Sequence, residues 1–254
     1  MATVMTGTQR APSIDPGAVR AERLFYVVAA YTILAVTAVG FRSFLLEGKA
    51  FGGADMTRRI ESLIVIHGLA MFTWIIFFCL QSTLILMGNR RRHMAIGSFG
   101  GALSAAIVIL GSLVAALSVH FNPDSYKLFG GPRFFLMIML SEMVLFGTLV
   151  GVALANRHRP DVHRPMMLLA TIVILSGSLA RTPYVVNLAL LPPLYEYWPS
   201  LVFGALLFLL HWGMTRVANR WFLIGYVAIV AASFVSAGLG TTAVWNRMAG
   251  TFVP

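Results

Sequence analysis

The chain has 254 residues, 58% of them hydrophobic and 11% charged, with a formal net charge of +10 and a mean hydropathy of +0.82. A soluble domain carries about 25% charged residues, so this balance excludes an ordinary soluble enzyme. The arginine excess is read as helix-end anchoring in a bilayer, with no nucleic-acid partner.

In chain order, the first twenty residues (MATVMTGTQRAPSIDPGAVR) are polar, rich in Pro, Gly and Thr, and lack the apolar core of a cleavable signal peptide. They are predicted to form a disordered cytoplasmic tail, with residues 21–254 as a single transmembrane helical domain. Seven hydrophobic segments follow, at about Leu24–Leu46, Ser62–Met87, Met94–Val119, Phe134–Ala155, Met166–Leu190, Leu201–Thr215 and Trp221–Val244. The expected fold is an all-α polytopic transmembrane helix bundle of about seven spans, because lipid satisfies no exposed backbone group and helices satisfy their own.

The positive-inside rule orients it. With the N-terminus inside, the inner segments hold Arg10, Arg20, Arg23, Arg90, Arg91, Arg92, Arg157, Arg159, Arg164, Arg216 and Arg220. The outer segments hold Arg42, Lys49, Arg58, Arg59, Lys127, Arg133, Arg181 and Arg247, diluted by Glu47, Asp55, Glu61, Asp124 and Glu196. The expectation is N-in/C-out, multipass, in a bacterial inner (plasma) membrane. The outer loops EGKAFGGADMTRR, FNPDSYKLFGGPR and LPPLYEYWP carry Gly, Pro and aromatics, and Tyr195, Tyr197 and Trp198 read as an interfacial belt.

The second segment carries one histidine, His67, and one glutamine, Gln81, fourteen positions apart, with Trp74 midway. At ~100° per residue these fall on nearly one face, which must look toward protein, cofactor or a wet cavity. Gly97, Gly101 and Ala105 at helical spacing in the third segment are read as a surface for close helix approach. The lone Cys79 excludes an internal disulfide and a cysteine-based metal site.

Distance from the span ends sorts the intramembrane polar residues into two layers. His67, Glu142 and Arg181 lie in the outer half, with His120 at its edge. Glu142 and Arg181 sit on consecutive segments and are expected to pair, since an isolated charge there costs at least ~2.5–3.5 kcal/mol. The outcome is either an ion pair that fixes helix register or, with His67, a polar solute site to which Pro183 adds a kink. The inner layer holds His93, His163 and His211, with Gln81 deeper. These offer imidazoles for a haem iron or a divalent metal, provided that the third, fifth and sixth segments adjoin.

The two inner turns echo each other: Arg90-Arg-Arg-His93-Met-Ala-Ile-Gly97 and Arg159-Pro-Asp-Val-His163-Arg-Pro-Met-Met167. In each, a basic turn delivers a histidine to the start of a helix. On His67, Gln81, His93 with Gly97, and His163-Arg164-Pro165-Met166-Met167, the chain resembles a broad set of bacterial multipass membrane proteins. The second turn is similar to one in small membrane proteins linked to assembly of haem-copper oxidases. The resemblance covers about Ser62 to Arg181 and departs at Met94, where the pattern has Arg. It implies a respiratory or haem-linked setting.

Three functions follow. The first is a histidine-rich accessory subunit of a respiratory or electron-transfer complex, holding haem b or a divalent metal through His67, His93, His163, His211 and Gln81. The second is a small-solute transporter or receptor-like bundle using Glu142, Arg181 and His67. The third is a non-catalytic subunit of a larger membrane complex. The sequence contains no GxSxG, HExxH, Walker or dinucleotide motif, so hydrolase and nucleotide chemistry are not expected.

Overall fold

A computed structural model describes residues 16–49, 55–182 and 197–253. All the regular structure among them is helical, apart from an isolated antiparallel bridge between Lys49 and Asp55. The first twenty residues lie largely outside the described part, as do Arg10, Pro183, Tyr195, Glu196 and the end of the fifth predicted segment.

The first predicted span is two helices, α1 (Pro16–Gly40) and α2 (Arg42–Glu47), broken at Phe41. Gly40 explains the close approach there, because an added Cβ would overlap the Ser178 carbonyl. The second span, α3 (Glu61–Leu86), ends at Gly88, whose φ of 74° is the left-handed conformation that stops a helix. The third, α4 (Arg90–Phe121), is capped by Asn89, whose side chain accepts from the Arg92 amide. At 32 residues, or ~48 Å, α4 outruns the ~30 Å hydrocarbon layer, so its ends project. The predicted FNPDSYKLFGGPR loop is a 3-10 helix over Pro123–Phe129, and α5 (Pro132–Ala155) follows.

The fifth predicted segment departs most from expectation. Its described part is α6 (Pro160–Val173) and a short α7 (Ser176–Leu179), separated by a turn at Ile174 and Leu175. Pro165 lies inside α6 and cannot donate to the Asp161 carbonyl. The Asn219 side chain donates to that carbonyl instead, at 3.1 Å. Asn219 also accepts from the Trp221 and Phe222 amides, capping α9 (Arg220–Gly240). The helix before it is α8 (Trp198–Thr215), and α10 (Ala243–Ala249) closes the described chain.

Among the described residues six helices (α1, α3, α4, α5, α8 and α9) are long and apolar enough to cross a membrane. They form a closed ring in which α1 packs on α3, α3 on α4, α4 on α5, α5 on α9, α9 on α8 and α8 on α1. Helix α6 stands in the middle, touching α1, α5, α8 and α9. Nine of its 14 residues are buried, and Leu168, Leu169, Ala170 and Thr171 are fully enclosed. Its second half, residues 166–173, is apolar on nearly every side, which suits that place, while Asp161, His163 and Arg164 stand in its first half at the basic end.

Two ends of the bundle differ in charge. One gathers the start of α1 and the α3–α4, α5–α6 and α8–α9 connections, tied together by Arg164–Glu22, by Asn219–Asp161 and by Arg159 over the Trp221 ring. It holds Arg20, Arg23, Arg90, Arg91, Arg92, Arg157, Arg159, Arg164, Arg216 and Arg220 against Glu22 and Asp161 among the described residues. This is the basic end. At the opposite end the Trp245 indole donates to the Arg133 carbonyl, His120 donates to the Phe252 carbonyl, and Asn122 bonds Thr57.

Candidate functional site

A cavity of about 710 Å³ opens at the basic end, between α1, α3, α4, the end of α5 and the start of α6. Its deep wall is aromatic and apolar: Trp74, Phe77 and Phe78 from α3, with Met167 from α6. Trp74 is fixed by its indole N–H, which donates to Thr171 Oγ1 at 3.2 Å, and by an edge contact with Phe146. Helix α4 supplies Gly97, Gly100 and Gly101 to the wall. Gly97 departs from its reading as a close-approach residue, since a Cβ there would meet nothing within 4 Å. The tight contact falls instead at Gly100, where a Cβ would meet the Phe77 ring at 2.7 Å.

The mouth is cationic. Arg23, Arg90, Arg157 and Arg164 line it beside His93, His158 and His163, and among the described residues no carboxylate lines it. Glu22 offsets one of these charges from outside, with its Oε2 2.7 Å from Arg164 Nη1. Such a lining favours the negative end of an elongated ligand, and the aromatic wall favours an apolar body.

His93 and His163 face each other across this mouth. Their ring centroids are 6.3 Å apart and their planes stand at 89°. His163 Nδ1–H donates to the Ala153 carbonyl at 2.8 Å, which fixes the tautomer and leaves Nε2 as the lone-pair nitrogen of the neutral ring. The Gln81 amide donates to the His93 carbonyl at 3.4 Å, while Gln81 Oε1, His93 Nδ1, Arg23 Nε and Tyr26 Oη are buried without a protein partner. Buried polar atoms are normally paired, so four around one cavity mark a place built to receive something.

The other expected site residues lie elsewhere. His211 is 2% exposed and packs edge-on against Phe25 at 4.9 Å, with Tyr26 and Phe222 beside it; both ring nitrogens are unpartnered. Among the described residues no three His, Cys, Asp or Glu side chains converge into a metal-binding group. The expected trio is divided, with His93 and His163 at the cavity and His211 behind Tyr26. His67 faces Gly111 of α4 and Met143 of α5, away from Gln81's cavity. Arg181 Nη1 donates to the Gly177 carbonyl at 2.6 Å and the guanidinium lies 4.6 Å over Phe41; Glu142 is half-buried on α5.

Sequence reasoning assigned Arg23, Arg90, Arg157 and Arg164 only to orientation. Arg164 adjoins His163, and Arg90 precedes His93 by one turn, so the histidine motifs already carried these cations beside them.

The fold and cavity define a multipass integral membrane protein with a cation-rimmed site at one end. Comparison with protein-family models, with curated proteins and with solved structures finds no match.

Proposed function

We propose that this membrane protein holds an anionic, amphipathic cofactor in the basic-end cavity, haem b first among the candidates. In this reading it serves a respiratory or electron-transfer complex of a bacterial inner membrane as an accessory subunit, its basic end cytoplasmic. The observation that carries the reading is the His93–His163 pair across a cavity with cationic mouth and aromatic wall.

The residues fit the group. His93 and His163, with ring centroids 6.3 Å apart at the cavity, would be the residues to hold the haem iron. The cavity volume of about 710 Å³ lies within the ~300–1,000 Å³ range of cofactor sites. His163, oriented by the Ala153 carbonyl, would offer Nε2, and His93, whose Nδ1 has no protein partner, would offer the second imidazole. Arg23, Arg90 and Arg157 offset propionate charge, while Arg164 is shared with Glu22. Trp74, Phe77 and Phe78 exclude water from the apolar body. A bound haem would supply one-electron redox chemistry. The respiratory setting rests on the resemblance of the His93 and His163 turns.

The test is haemin titration of detergent-purified protein, read by absorption. One haem per chain, with a red-shifted Soret band and a low-spin reduced spectrum lost in His93→Ala and His163→Ala, supports the reading. No stoichiometric binding removes haem. The carboxylate-free lining then favours a second reading, an anionic solute or lipid headgroup in the same cavity.

A further inference from the structure

A second site stands in the opposite half of the bundle, where α3, α4 and α5 meet. Gly111 of α4 leaves a notch there: an added Cβ would overlap the Met143 sulfur and come 3.1 Å from His67 Cε1. The thioether of α5 therefore fills the space of the missing methyl group, and the imidazole of α3 borders it. Met143 is 7% exposed, and His67 Nδ1, bonded directly to Cε1, is buried without a partner. An unpaired imidazole nitrogen in this setting demands an occupant more than a merely packed ring does.

The neighbouring turns repeat the donor type. Met71 lies one turn along α3 from His67, and Met139 one turn along α5 from Met143; both are partly buried. Spacing of four residues puts each pair on one helical face. An imidazole with thioethers is a soft donor set. It suits a monovalent d¹⁰ ion of low coordination number and is poor for Mg²⁺ or Ca²⁺.

We infer that His67 and Met143 form a Cu(I) site at the Gly111 notch, with Met71 or Met139 as the third donor. The site is separate from the basic-end cavity and shares no residue with it. It stands or falls independently of the haem reading.

The test uses full-length protein in detergent, in a Cys79→Ala background so that the one thiol contributes nothing. Cu(I) is titrated against a colorimetric Cu(I) chelator under anaerobic, reducing conditions, with Ag(I) as a redox-inert second probe. X-ray absorption at the copper edge reads the ligands. The expected result is one Cu(I) per chain with nitrogen and sulfur neighbours. Met143→Leu and His67→Phe should each weaken binding at least tenfold at unchanged melting temperature, and His93→Ala should have no effect. Retention of all copper by the chelator, or a copper spectrum without sulfur neighbours in the Cys79→Ala protein, overturns the inference. So does wild-type affinity in folded Met143→Leu.

Discussion

The Trp74 indole donates to Thr171 Oγ1 at 3.2 Å, joining the second long helix to the enclosed α6 beneath the cavity. Thr171 also donates to the Met167 carbonyl at 2.9 Å, so loss of the indole leaves the hydroxyl still bonded. Trp74→Phe is expected to cost about 1–2 kcal/mol, one buried hydrogen bond and some packing. Trp74→Ala should cost about 3–5 kcal/mol through the void it opens. Thermal unfolding in detergent checks the order of the two.

The Glu22–Arg164 pair is about a quarter exposed on each side, so its contribution to stability is small, within about 1 kcal/mol. Its effect on binding should be larger. Glu22→Gln frees a cation at the mouth and is expected to tighten binding of an anionic ligand, while Arg164→Gln weakens it. Both effects should shrink as salt rises. Titrations at low and high ionic strength read the sign, and matching affinities for the two variants would speak against a charge-selective mouth.

Gly97 opens onto free space, whereas Gly40 abuts backbone. Gly97→Leu is expected to fill the cavity and abolish ligand binding, with stability unchanged or raised by up to about 1 kcal/mol because glycine is a poor helix former. Gly40→Ala should destabilise the fold, because the Ser178 carbonyl must move. The pair separates an occupied site from a structural glycine in one melting experiment.

At the opposite end, Lys49 and Asp55 bridge in solvent. Hydrogen bonding to Lys49, with its charge, holds the Asp55 carboxyl below its ordinary value, and the same bond to Asp55 raises Lys49. A depressed carboxyl stabilises above its unfolded value and loses that contribution as pH falls through the folded one. A raised amine stabilises below its unfolded value and loses it as pH rises through the folded one. The bridge therefore persists across neutral pH. An NMR titration of Asp55 should show an upward move toward ordinary carboxylate behaviour in Lys49→Gln.

The long apolar helices were legible in the sequence, and direction around each helix was not. The long helices were readable because lipid demands ~20 apolar residues and internal backbone bonding. The fifth segment was apolar as well, but for another reason, since its described part, α6, is surrounded by protein. Composition cannot separate those two environments. His93, His163 and His211 were expected at one depth and offered as a trio, yet only the first two meet. Their meeting depends on where α6 stands in the ring, and His211 on α8 turns instead into Phe25 and Phe222. The arginines of the mouth were hidden for a related reason: a cation at a helix end orients the helix whether or not it also faces a cavity.

The most direct measurement is the reduced-minus-oxidised absorption spectrum of purified protein after haemin loading. One haem per chain is expected, its signal abolished by His93→Ala or His163→Ala and retained in His211→Phe. A spectrum without a haem signal, or one that survives both cavity substitutions, would contradict it.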